Sequence, residues 1–88
     1  MEKAVTIKVN GRLQNTGYRH FARLAAQDYS IKGILIYNPD GSVYIEAQGE
    51  ENNLEAFLAY CKRGPIWGRV DNIDIQPADL QEFTDFES

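Results

Sequence analysis

Val5, Ile7 and Val9 alternate with Thr6, Lys8 and Asn10 along residues 4–10, the period of a half-buried strand. The alternation stops at Gly11, and residues 11–17 read as a loop. From Tyr18 to about Tyr29 the period lengthens. Phe21, Leu24 and Ala25 share one helical face, with Tyr18, Ala22 and Tyr29 beside it. Asn15 or Thr16 stands where an N-cap is expected. Residues 31–37 are almost continuously apolar, with Ile34, Leu35 and Ile36 consecutive, which predicts a strand covered on both faces or lying centrally. Asn38-Pro39-Asp40-Gly41 is then a turn: Pro39 sets φ for the first central position, Asp40 suits the second, and Gly41 accepts a left-handed backbone. Val43, Ile45 and Ala47 alternate with Tyr44, Glu46 and Gln48, so the turn joins two strands of a hairpin.

Beyond Gly49, the residues Leu54, Phe57, Leu58 and Cys61 form an apolar helical stripe. Glu51 and Glu55 lie near its start, Lys62 and Arg63 near its end, and Gly64-Pro65 stops it. Ile73 and Ile75 alternate in a fourth strand, and a weaker last strand is expected to include Leu80 and Phe83 or Phe86. The order strand, helix, strand, strand, helix, strand, plus a short final strand, is the split βαβ arrangement of the ferredoxin-like α+β fold. It predicts an antiparallel sheet with two helices on one face.

The chain has 88 residues, room for one domain spanning 1–88, and its 43% hydrophobic and 25% charged residues are ordinary globular composition. No stretch approaches the ~20 apolar residues of a membrane helix. The first residues thread charges through their apolar positions, so a signal peptide is not expected. The single cysteine, Cys61, excludes an internal disulfide and offers no metal cluster. These features lead to the expectation of a cytoplasmic monomer that stands alone, with no metal and no membrane contact.

Charge is unevenly spread. Residues 1–23 carry Lys3, Lys8, Arg12, Arg19 and Arg23 against Glu2 alone, although the whole chain has a net charge of −4. Nucleic-acid binding expects a broad basic face, which an acidic chain with one basic quarter does not offer. A small anion held at one place suits it better, although surface charge that merely clusters explains the same pattern.

The fold itself does not name a function. The informative stretch is Gly11-Arg12-Leu13-Gln14-Asn15-Thr16-Gly17-Tyr18-Arg19, which leaves a strand and enters a helix. At such a junction backbone N–H groups point outward with the positive end of the helix dipole behind them, an anion cradle. Arg19 in the first turn adds a planar fork for two phosphate oxygens. A plain connection carrying a surface arginine is the alternative.

This stretch resembles the acylphosphatase signature Gly-x-Val-Gln-Gly-Val-Gly-Phe-Arg. Gly11, Gln14, Gly17 and Arg19 match outright, and Leu13 and Tyr18 match conservatively. The resemblance continues through Gly33, Asp40-Gly41, Val43, Gln48-Gly49, Phe57, Gly64-Pro65 and Val70, nearly the whole chain. It implies an enzyme that hydrolyses the carboxyl–phosphate bond of acyl phosphates without metal or cofactor. The phosphoryl group would be held by the loop formed of Gln14, Asn15, Thr16, Gly17 and Tyr18 together with Arg19. Positioning and charge stabilisation dominate phosphoryl transfer through a loose transition state, and a good leaving group lets a small site suffice.

Two departures bear on that implication. The family's water-holding asparagine lies four residues after the glycine matching Gly33 and four before the one matching Gly41; both counts land on Tyr37. Asn38 is one residue late, and a one-residue offset turns a strand side chain to the opposite face. It is a candidate substitute only if a bulge shifts the strand; its bland role is a local bond in the turn. In the loop, Asn15 and Thr16 replace a glycine and a valine, and Asn15 is the non-glycine residue that best tolerates left-handed backbone. Removing one preorganised hydrogen-bond group costs ~10²–10³ in rate, so the expectation is hydrolysis that is slow or absent.

His20 follows Arg19 directly, but successive helical residues point about 100° apart, so it is read as a surface residue. Cys61 is read as core. Trp67 is read as a cap on the edge of the core, with a partner surface as the alternative if it is exposed. Three readings remain: an acylphosphatase-type hydrolase with a compromised water site, a non-catalytic phosphate- or anion-binding module, and an RNA- or protein-binding domain using the open sheet face. Tyr37 separates the first two. The acidic balance disfavours RNA, although Tyr37 and Tyr44 resemble base-stacking aromatics.

Overall fold

In the computed structural model, which describes residues 1–88, the first alternating segment forms β1 (Glu2–Arg12). It is followed by α1 (Tyr18–Asp28), β2 (Lys32–Tyr37), β3 (Val43–Glu50), α2 (Glu51–Arg63), β4 (Arg69–Ala78) and the two-residue β5 (Phe86–Glu87). The strand order is β4-β1-β3-β2-β5. β1 pairs antiparallel with β3 and β4, and β2 antiparallel with β3, whereas β5 runs parallel to β2. The sheet is therefore mixed where an antiparallel one is expected, because the chain leaves β4 at one edge and must return to the other.

Register turns the period-2 pattern into a core. Ile75, Ile7, Ile45 and Leu35 lie side by side across four strands, with Ile73, Val9, Val43 and Tyr37 in the next row. Both helices cover this face. α2 contributes Leu54, Phe57 and Cys61, all buried as its stripe predicts. Each fully buried Ile, Leu or Phe contributes roughly 1.5–3 kcal/mol. α1 is rotated relative to the sequence reading: its buried face is Tyr18, Ala22, Ala25 and Ala26, while Leu24 is 46% exposed. Three alanines let the helix lie close to its neighbours, and the bulkier Leu24 is carried out to solvent.

The opposite face of the sheet is polar and partly open, with Lys8 beside Asp74 and Ile36 beside Tyr44. β2 is thus not covered on both faces. Leu35 points to the core, and Ile36, one residue on, is 47% exposed. Residues 79–85 cross this face as a strap. Gln48, buried beneath it, donates through Nε2 to the Gln81 carbonyl at 2.8 Å and accepts the Gln81 N–H at 2.9 Å. The strap delivers Phe86 to the core, edge-on to Phe57 at 5.8 Å. Leu80 and Phe83 lie outside the last strand, and Leu80 is exposed.

The hairpin turn forms as expected, with the Gly41 N–H donating to the Asn38 carbonyl at 3.0 Å and Gly41 at φ 90°. The N-cap of α1 differs: it is Gly17, without a side-chain cap. Thr16, a cap candidate, donates its hydroxyl backwards to the Leu13 carbonyl instead. No helix is long and apolar enough to cross a membrane.

Candidate functional site

β1 ends and α1 begins at one end of the sheet, beside the C-terminal end of β2. Between them Leu13 is buried and anchors the loop, and the Thr16 hydroxyl ties back to its carbonyl. Asn15 takes φ 61° and Gly17 takes φ 81°, both left-handed. Such reversals turn successive N–H groups toward a common side. The first hydrogen bond of α1 runs from the Phe21 N–H to the Gly17 carbonyl at 2.9 Å, and no N–H from Asn15 to His20 donates to a backbone carbonyl. These donors, with the helix dipole behind them, suit an anion.

The loop opens onto a cavity of about 380 Å³ lined by Gln14, Asn15, Gly17, Arg19 and Tyr37. Arg19 is exposed and has no carboxylate partner, the ion pairs of the chain being Met1–Glu50 and Arg69–Asp71. Its guanidinium is held over the Tyr37 ring, 5.0 Å from the centroid. Tyr37 is half-buried on the helix-covered side of the sheet, in the row of Val43 and Val9, and its hydroxyl points to the Leu13 carbonyl at 3.4 Å. Position 37 therefore faces the loop.

The remaining residues named from the sequence divide. Thr16 and Tyr18 are buried with their hydroxyls committed, Tyr18 donating to the Cys61 carbonyl at 2.9 Å, so they offer the cavity only backbone. Burial raises the Tyr18 phenol far above its ordinary pKa. Asn38 does not line the cavity: its Nδ2 donates to Ser42 Oγ at 2.9 Å, and Ser42 Oγ in turn donates to Asp40 Oδ1 at 2.6 Å. That chain of bonds, mainly the Ser42 hydroxyl and then its N–H, holds the Asp40 carboxyl below the usual carboxylate range. No bulge interrupts the β2–β3 register to bring Asn38 round. His20 is exposed and outside the cavity, and Cys61 is buried, its thiol pushed up to about 12 by burial.

Trp67 does not cap the core; it is 80% exposed. It lines, with Arg12, Gln14, Asn15 and Thr16, a second groove of about 600 Å³ on the other side of the loop tip. Arg12 borders this groove, and the sequence reading does not single it out as a candidate. Its signal in the sequence is a cation at the variable position of the signature stretch. No three His, Cys, Asp or Glu side chains gather as a metal site. The arrangement can bind a tetrahedral anion through N–H donors and a guanidinium. It holds no carboxylate or imidazole as a general base.

Comparison with known proteins follows the same lines. Residues 5–88 match the family model described as Acylphosphatase. The chain is 45% identical over 86 residues to the acylphosphatase of Lactobacillus gasseri, covering 96% of this chain and 94% of that one. It is 39% identical over 84 residues to the acylphosphatase of Archaeoglobus fulgidus, with the same coverage of 96% and 94%. Among solved structures, the acylphosphatase from Bacillus subtilis superposes with a TM-score of 0.93 at 31% identity, covering 99% of this chain and 97% of that one.

Proposed function

The chain belongs to the acylphosphatase family, and from that premise we propose that it binds acyl phosphates at the Arg19 loop and hydrolyses them slowly. The phosphoryl group sits against the N–H groups of Asn15 to Arg19, with the guanidinium taking two of its oxygens. Charge that gathers on those oxygens in a loose transition state is met by donors already in place. Water attacks phosphorus, the bond to the carboxylate oxygen breaks with its electron pair leaving on that oxygen, and the proton of the water passes to a phosphate oxygen. The carboxylate is stable as released and needs no proton. The chain acts as one cytoplasmic domain and as a monomer.

The observation that carries the reduced rate is Tyr37, which faces the loop from the position the family gives to its water-holding asparagine. Its hydroxyl points to the Leu13 carbonyl, and its ring occupies the floor under Arg19. The same observation favours the second reading, a non-catalytic phosphate-binding module. Benzoyl phosphate hydrolysis by the wild type, with Arg19→Ala as control and inorganic phosphate as competitor, separates them. Slow turnover that Arg19→Ala abolishes and Tyr37→Asn raises by ~10²–10³ supports the enzyme. Phosphate binding without any turnover supports the module, and rapid wild-type turnover sinks the role given to Tyr37.

A further inference from the structure

We propose that the groove between Arg12 and Trp67 is a second subsite, which takes the acyl portion of the ligand and selects acyl groups that are flat and carry a second anion. The proposal rests on the phosphoryl-binding reading of the Arg19 cradle and names the substrate class for it.

Gln14 and Asn15 line both the 380 Å³ cavity and the 600 Å³ groove, so the two adjoin across the tip of one loop. A ligand whose phosphoryl group sits on the Arg19 side reaches the Arg12 side by passing over that tip. Arg12 is exposed and lacks a carboxylate partner. Its neighbour across the β1–β4 ladder is Arg69, whose own guanidinium is occupied by Asp71 at 2.7 Å. Arg12 is therefore the unpaired cation of the two. A guanidinium fork also matches a carboxylate with two parallel bonds.

Trp67 supplies the apolar wall. It stands in the connection between α2 and β4, where the Gly68 N–H donates to the Pro65 carbonyl at 3.1 Å and orders the turn. An indole displayed on an ordered turn beside a free guanidinium offers a face for stacking and a charge next to it. An acyl phosphate of a simple aliphatic acid uses neither. One with a planar body and a remote carboxylate uses both.

Trp67 is the one tryptophan of the chain, so its fluorescence reports on the groove without any turnover. The full-length protein is titrated with inorganic phosphate, with benzylphosphonate, and with benzylphosphonate carrying a ring carboxylate, meta or para. At least one carboxylated compound is expected to bind about tenfold more tightly than benzylphosphonate, as one new charge-assisted contact implies. It shifts the Trp67 emission, which inorganic phosphate leaves in place. Arg12→Gln collapses the ratio between the two phosphonates, and Trp67→Ala removes the gain that the ring brings over inorganic phosphate. Equal phosphonate affinities on a protein that still binds phosphate through Arg19 overturn the subsite alone. Failure to bind phosphate or either phosphonate overturns the cradle, and the subsite with it.

Discussion

The ring of Tyr37 lies under the guanidinium of Arg19, whose Cζ is 5.0 Å from the ring centroid. The stack orients the fork and leaves its N–H edges free for an anion. If Arg19 holds phosphate as proposed, part of its affinity comes from this ring. Tyr37→Phe retains the ring and is expected to change the phosphate Kd by less than about twofold. Tyr37→Leu removes the stack, worth ~0.5–1 kcal/mol at an exposed site, and is expected to weaken phosphate about two- to fivefold. Calorimetric titration with inorganic phosphate distinguishes them; equal affinity in all three proteins would show that the stack positions nothing.

Asn15 holds φ 61° where the family signature has glycine. A left-handed backbone costs an ordinary residue roughly 1–2 kcal/mol, and asparagine less because its side chain bonds locally. Asn15→Ala is expected to lower stability by about 1 kcal/mol, while Asn15→Gly leaves it within a few tenths. If the loop conformation is what binds, phosphate affinity falls in Asn15→Ala and survives in Asn15→Gly. Urea unfolding beside phosphate titration reads both quantities.

Tyr18 begins α1, yet its hydroxyl satisfies the Cys61 carbonyl in the last turn of α2. The bond ties the start of α1 to the end of α2. Tyr18→Phe removes a buried donor and is expected to cost about 1–2 kcal/mol in unfolding free energy. Phosphate binding is expected to persist, since Tyr18 offers the cavity only its backbone. An unchanged urea midpoint would mean that water or helix geometry satisfies that carbonyl as well.

β1, β3, β4 and both helices were legible from their periods, β2 from its continuous apolar run, and the turn from the conformational preferences of Pro39, Asp40 and Gly41. The sequence points to the wrong face of α1 because Leu24 outweighs alanine on any hydrophobicity ranking, whereas close packing prefers Ala22, Ala25 and Ala26. β5 has only two residues, too few for a period, and its parallel pairing depends on the strap that Gln48 holds through Gln81. Arg19 and the loop were legible from the signature. The Arg12–Trp67 groove was not, because residues so far apart in the chain meet only when β4 returns beside β1.

Asp40 gives the hairpin a pH dependence with a definite sign. Its folded pKa lies below the ordinary ~3.9, through the Ser42 hydroxyl and N–H. The carboxylate therefore adds stability that is complete above the ordinary value and is lost as pH falls through the lower, folded one. Asp40→Asn is expected to be less stable than wild type at neutral pH and equal to it once both side chains are uncharged. Urea midpoints of the two proteins at several pH values check this; a gap that persists in acid would assign the effect to turn geometry instead of charge.

Cys61 turns the same interior into a clock. Burial pushes its thiol up to about 12, against a smaller opposing pull from the Tyr18 hydroxyl. The folded protein is thus expected to resist a disulfide reagent at pH 8, where an unfolded thiol reacts readily. Because the folded pKa lies above the unfolded one, stability is full below the unfolded value of ~8.5 and declines as pH rises beyond it. Labelling at pH 8 then proceeds through opened molecules. Where closing outpaces the reagent, its rate follows the open population. Tyr18→Phe, at a cost of about 1–2 kcal/mol, should accelerate labelling roughly 5–30-fold. A rate set by reagent concentration alone and identical in both proteins would mean that Cys61 is reached without unfolding, through motion of α2 against the sheet.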